Sequence, residues 1–89
     1  MDRAELVRSV KAIIEREAAI DVSTLNDDSR LGDFEIDSLD IMKLAYVFEK
    51  TFDITVAPSE LGLLRTFGDM IDALEQKLAA GAARENLFS

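Results

Sequence analysis

Leu6, Val7, Val10, Ile13 and Ile14 recur at helical spacing, with Arg8, Lys11, Glu15 and Arg16 on the opposite side, so the chain is expected to begin with an amphipathic helix. Asp2 ahead of Arg3, with Glu5 three residues on, has the form of a capping box, and the pattern fades near Ala18–Ile20. A second, clearer stripe follows at Ile41, Leu44, Ala45, Phe48 and Phe52, in the order i, i+3, i+4, i+7 and i+11. Asp37 or Ser38 suits its N-cap, and Asp40 in the first turn favours the positive end of the helix. Phe67, Met70, Ile71, Leu74 and Leu78 give a last helix, capped by Thr66 with Asp69 and stopped at Gly81.

Between these stripes the pattern is irregular. Residues 21–37 carry Ser, Thr, Asn, Asp and Gly without sustained periodicity and predict a long ordered loop anchored by Leu25, Leu31, Phe34 and Ile36. Ile54-Thr55-Val56 is β-branched, yet no second strand-like run exists to pair with it, so it reads as an extended connector. Pro58 opens a short helical turn over Ser59–Leu64. The expected fold is all-α: a small bundle of three main helices plus one short helix, with the long loop between helices one and two. Residues 1–80 form one domain in this reading and 81–89 a flexible tail, in which Glu85-Asn86-Leu87-Phe88 resembles the remnant of a protease tag.

Composition narrows the chemistry. The 89 residues hold no Cys and no His, which excludes disulfides, a thiolate nucleophile, a sulfur-ligated zinc and any Ser-His-Asp or Cys-His pair. A net charge of −8 makes a poor binder of phosphate backbones, so nucleic acid is not an expected partner. No apolar run approaches the about 20 residues that span a bilayer, and Met1-Asp2-Arg3-Ala4-Glu5 does not resemble a signal peptide, so membrane insertion is not expected and the cytoplasm is. The charge is localised: Asp21, Asp27, Asp28, Asp33, Glu35, Asp37 and Asp40 against Arg30 give residues 21–42 a net −6. This acidic loop is no calcium site. With Gly32 at the sixth position of an EF-hand loop, Leu31 and Ser38 fall where oxygen-rich ligands are required, and no metal is expected.

Ser29-x-Leu31-x-Asp33-Phe34-Glu35-Ile36-Asp37-Ser38-Leu39-Asp40 resembles the attachment motif of the acyl carrier proteins, in which Asp-Ser-Leu opens the second helix. The register extends over residues 5–78. Leu44, Phe48 and Phe52 match the family's buried stripe, Val56 and Pro58 its connector, and Thr66 to Leu74 its last helix. The resemblance implies a non-catalytic carrier in which Ser38 bears a 4′-phosphopantetheine arm, added by a phosphopantetheinyl transferase. The arm's thiol then holds acyl intermediates as thioesters for acyl-loading and acyl-transferring enzymes. It also implies that Asp37 helps position the transferase's divalent ion, a role compatible with helix capping. Physically, an arm at Ser38 would set its phosphate against free N–H groups and the positive end of the helix. The absence of Cys fits a chain whose thiol arrives with the arm. On the Asp-Ser-Leu tripeptide alone Ser38 reads first as an ordinary N-cap, and the whole-chain register reverses that preference.

Partners are expected to read the second helix through Asp37, Leu39, Asp40, Lys43, Tyr46, Val47, Glu49 and Lys50, with the apolar strip Leu39, Tyr46 and Val47 either exposed for docking or packed on a neighbouring element. Leu44, Phe48, Ile54, Val56, Leu61, Leu64 and Ile71 are expected to line the gap where an acyl chain shelters, and they also serve as plain core. Two departures from the family pattern stand out. Lys43 and Lys50 occupy typically acidic positions, and Glu35 replaces a common glycine. Both point to a specialised carrier of a polyketide, nonribosomal or lipid-modifying pathway rather than to ordinary fatty-acid synthesis, and a monomer is expected. The alternatives are an aminoacyl or peptidyl carrier of the same fold and a helical adaptor without the arm. A serine hydrolase is excluded because Ser38 has no His to act as its base.

Overall fold

Four α-helices follow in the order α1 (Arg3–Ala18), α2 (Ser38–Phe52), α3 (Pro58–Gly62) and α4 (Phe67–Phe88) in a computed structural model that describes residues 2–88 and the side chains of residues 2–80. Leu6, Val10, Ile13 and Ile14 of α1 face Leu44, Ala45, Phe48 and Phe52 of α2 and Phe67, Met70, Ile71 and Leu74 of α4 in one apolar core. No polar or charged residue is buried among the described residues. No strand forms among them either: Ile54–Val56 runs as the expected connector, and strand-like pairing is limited to an isolated antiparallel bridge between Arg30 and Thr66.

The long loop is tied down through its backbone. Leu25 and Leu31 are buried anchors, as expected, whereas Phe34 and Ile36 are only half-buried. Residues Leu31–Phe34 form a 3-10 turn that the sequence pattern did not announce. The Leu31 N–H donates to the Arg65 carbonyl at 2.9 Å. The loop carbonyls of Ser29 and Asp27 accept from the N–H groups of Phe67 at 2.9 Å and Gly68 at 3.0 Å. Thr66 Oγ1 takes the Asp69 N–H at 3.1 Å. The orphan donors at the start of α4 are thus filled by a cap and by the loop itself.

Ion pairs fasten the rest. The Arg3 guanidinium reaches Asp72 at 2.9 Å and Asp27 at 3.4 Å, and also contacts Glu75, so it joins α1, the loop and α4. Its pKa is raised, chiefly by the bond to Asp72. Lys77 of α4 holds Glu60 of α3 at 2.7 Å.

Two boundaries differ from expectation. The short helix spans Pro58–Gly62 rather than Ser59–Leu64, because Pro58 itself takes the first helical position behind Ala57. Helix α4 does not stop at Gly81 but continues to Phe88. One glycine weakens a helix by about 1 kcal/mol relative to alanine without interrupting its hydrogen-bond ladder, and alanines flank it here. The expectation of a flexible tail over 81–89 lies outside the residues whose side chains are described.

Candidate functional site at the start of helix α2

Helix α2 begins with a reciprocal cap. Asp37 is the N-cap residue in extended conformation, and its carboxylate accepts the Asp40 N–H at 2.9 Å. The Asp40 carboxylate in turn accepts the Asp37 N–H at 3.3 Å. Ser38 is therefore the first residue inside the helix and not its cap. It is exposed, and the N–H groups of Ser38 and Leu39 in the first turn have no partner within the helix. A hydroxyl here is open to a large reactant, and free backbone donors and the positive helix end would favour an anion placed beside it.

Ahead of the cap, Glu35 ends the 3-10 turn with φ 54°. A side chain resists this left-handed conformation, which favours glycine, the residue the sequence resemblance expects at this point. The turn sets the entry into Ile36-Asp37-Ser38 and carries one more carboxylate into the acidic stretch.

Ser38 opens onto a cleft of about 350 Å³ between α2 and α3, lined by Ile36, Asp37, Ile41, Met42, Pro58, Ser59 and Gly62. A smaller cleft of about 200 Å³ adjoins it through the shared residues Ile36, Ile41 and Gly62 and adds Leu31, Gly32, Leu61 and Leu64. These walls suit an arm that starts at Ser38. Among the seven residues expected to line an acyl gap, Leu61 and Leu64 face these clefts. Leu44, Phe48, Val56 and Ile71 are sealed in the core, and Ile54 is half-buried.

The expected docking residues separate in the same way. Leu39 and Tyr46 are about two-thirds exposed, at 67% and 63%, and Lys43 and Lys50 are exposed as well. Lys50 Nζ lies 5.6 Å from the centre of the Tyr46 ring, so that cation and aromatic form one unit. Val47 is half-buried against the core, and Met42, which the helical pattern did not single out, takes an exposed place on this face. Glu49 turns inward: its carboxylate accepts the Val56 N–H at 2.9 Å, partly buried. Asp37 and Asp40 are engaged with each other. No group of three or more potential ligands is placed to hold a metal ion among the described residues.

The family model described as the phosphopantetheine attachment site matches residues 8–74. The acyl carrier protein of Thermotoga maritima is 34% identical over 77 residues, covering 85% of this chain and 95% of that protein. The chain belongs to the acyl carrier protein family. The crystal structure of an acyl carrier protein from Thermotoga maritima superposes with a TM-score of 0.76 at 25% identity, covering 90% of this chain and 94% of that one. A segment of the non-reducing polyketide synthase pkiA of Emericella nidulans is 38% identical over 74 residues, which is 83% of this chain but 3% of the synthase. The chain thus spans nearly the whole of a free-standing carrier and a small fraction of the synthase. Acyl carrier proteins are carriers rather than enzymes, and phosphopantetheine is their cofactor. The all-α fold agrees with that. No described helix is long and apolar enough to cross a membrane.

Proposed function

We propose that Ser38 is the attachment point of the phosphopantetheine arm and that the domain over residues 1–80 carries acyl groups between partner enzymes. The observation that carries this reading is the exposed Ser38 hydroxyl at the first position of α2, beside a cap made by Asp37 and Asp40 alone. In the transfer the Ser38 oxygen forms a bond to phosphorus as the pyrophosphate linkage of coenzyme A breaks. The hydroxyl proton and adenosine 3′,5′-bisphosphate leave. When attached, the arm supplies a thiol that holds an acyl group as a thioester.

Asp37 is the residue we assign to the transferase's divalent ion, with Leu39, Asp40, Met42, Lys43, Tyr46 and Lys50 as the face that partners read. Leu64, half-buried in the cleft wall, is the member of the expected pocket that a cargo could touch without moving the core, to which Leu61 belongs. Lys43 and Lys50, exposed on α2, favour a specialised carrier over one serving the basic docking sites of fatty-acid synthesis, and the likeness to a polyketide synthase segment supports that choice. We place the protein in the cytoplasm as a monomer.

Intact mass after incubation with coenzyme A, Mg²⁺ and a broad-specificity phosphopantetheinyl transferase tests the assignment. Wild type should gain one phosphopantetheine and Ser38→Ala none. An unmodified wild type, under conditions that convert a control carrier, would leave only the adaptor reading.

A further inference from the structure

The cleft beside Ser38 does not end where α2 and α3 meet. It shares Ile36, Ile41 and Gly62 with the second cleft, and that one shares Gly32 and Leu64 with a third, of about 600 Å³, lined by Arg30, Gly32, Asp33, Leu64, Arg65 and Thr66. The three adjoin one another through these shared residues and together make a trough along the surface. Its charge changes from end to end. Asp37 stands at the Ser38 end, apolar side chains and glycine floor the middle, and Arg30 and Arg65 stand together at the far end, where Asp33 is the acidic residue of the lining.

Backbone pairing fixes that juxtaposition. The bridge between Arg30 and Thr66 and the 2.9 Å bond from the Leu31 N–H to the Arg65 carbonyl lay the two arginine-bearing segments side by side. Both side chains are exposed, and neither guanidinium takes part in an ion pair among the described residues. Residues 21–42 otherwise carry acid alone, so two free cations at one mouth are a local reversal of the field. Guanidinium groups bind carboxylates through paired donors.

We infer that the trough seats a cargo attached through Ser38 and that Arg30 and Arg65 receive an anionic group at the cargo's far end, so that the preferred cargo is a carboxylate-bearing acyl group. This rests on the assignment of Ser38 as the attachment point. Glycines at 32 and 62 keep the floor low, and an added Cβ at either would meet no atom within 4 Å, so the trough has room beside both. An acidic segment of a partner protein is the other occupant that two arginines could accept, and the test separates the two.

The experiment loads the protein with a broad-specificity transferase from two coenzyme A thioesters of equal chain length, glutaryl and valeryl. Intact mass first reports whether Ser38 was modified, which judges the attachment assignment alone. Heteronuclear NMR then compares the two loaded forms and the form carrying the bare arm. The glutaryl form should shift the Nε–H signals of Arg30 and Arg65 and the amides of Gly32, Leu64 and Thr66, whereas the valeryl form leaves the arginine signals where the bare arm does. Arg30→Gln with Arg65→Gln should abolish the difference while keeping the melting temperature, since the segments are joined through backbone atoms. Identical arginine signals in both loaded forms would overturn the inference even with Ser38 fully modified. So would a difference that survives the double substitution, or one that arises only on adding a partner enzyme.

Discussion

The Glu49 carboxylate accepts the Val56 N–H at 2.9 Å, and so a side chain of α2 holds the connector that leads into α3. Val56 is 1% exposed, which leaves no water to replace that acceptor. Glu49→Ala should cost about 1–3 kcal/mol by stranding a buried donor, a fall of roughly 4–24 °C in melting temperature for a domain of this size. Glu49→Gln keeps an acceptor oxygen and should cost less than half as much. Thermal unfolding together with hydrogen exchange at the Val56 amide checks both. Unchanged exchange in Glu49→Ala would show the bond to be dispensable.

One type of substitution should act with opposite sign at two alanines. Ala19 ends α1 with φ 55°, where a side chain is strained, whereas Ala12 is exposed within the same helix. Ala19→Gly should raise stability by up to about 1 kcal/mol, the released strain exceeding the added freedom of the unfolded chain. Ala12→Gly should lower it by about 1 kcal/mol. Urea denaturation midpoints measure the two.

Gly68 approaches the loop too closely for any side chain. A Cβ there would lie 2.9 Å from the Asp27 carbonyl oxygen, the atom that also accepts the Gly68 N–H. Gly68→Ala should cost roughly 1–3 kcal/mol through the forced backbone shift, while Gly62→Ala, with open space around it, should be neutral or slightly stabilising. A matched pair of chemical denaturation curves distinguishes them.

The Asp21 carboxylate accepts the Ser23 N–H at 2.9 Å, and the bonds from Ser23 hold its pKa below the ordinary 3.8. A lowered carboxylate pKa stabilises the fold above the unfolded value, and the gain fades as pH falls through the folded one. The stability difference between wild type and Asp21→Asn should therefore be constant from neutral pH down to about the ordinary carboxylate value and close in stronger acid. Denaturant midpoints across an acid series test this, and a difference that widens on acidification would contradict it.

Leu44, Ala45, Phe48 and Phe52 were legible as a core stripe because one helix repeats its own geometry every few residues. Leu25 and Leu31 were legible as isolated apolar residues in a polar loop. The joints from Leu31 to Arg65, Ser29 to Phe67 and Asp27 to Gly68 were not, since they link backbone groups that any side chains could accompany. The trough was hidden for the same reason, its two arginines being 35 positions apart in the chain. At the site itself, Asp-Ser-Leu announced the start of α2 but left the capping residue open, and the choice fell to Asp37 on backbone conformation. Val47 and Met42 lie at the border of the apolar face, where a turn of a few degrees decides which is covered, and Glu49 gave no sign of its inward bond.

That Asp37 and Asp40 close the cap between them separates two duties that a serine before a helix usually combines. The cap makes no demand on the oxygen of residue 38, so this position can be substituted without unwinding the element that displays it. Alanine there is accordingly a chemical deletion and not a structural one. If the proposed arm is attached there, the loaded and unloaded forms would present the same helix surface, and a partner would tell them apart by what hangs from it rather than by its shape.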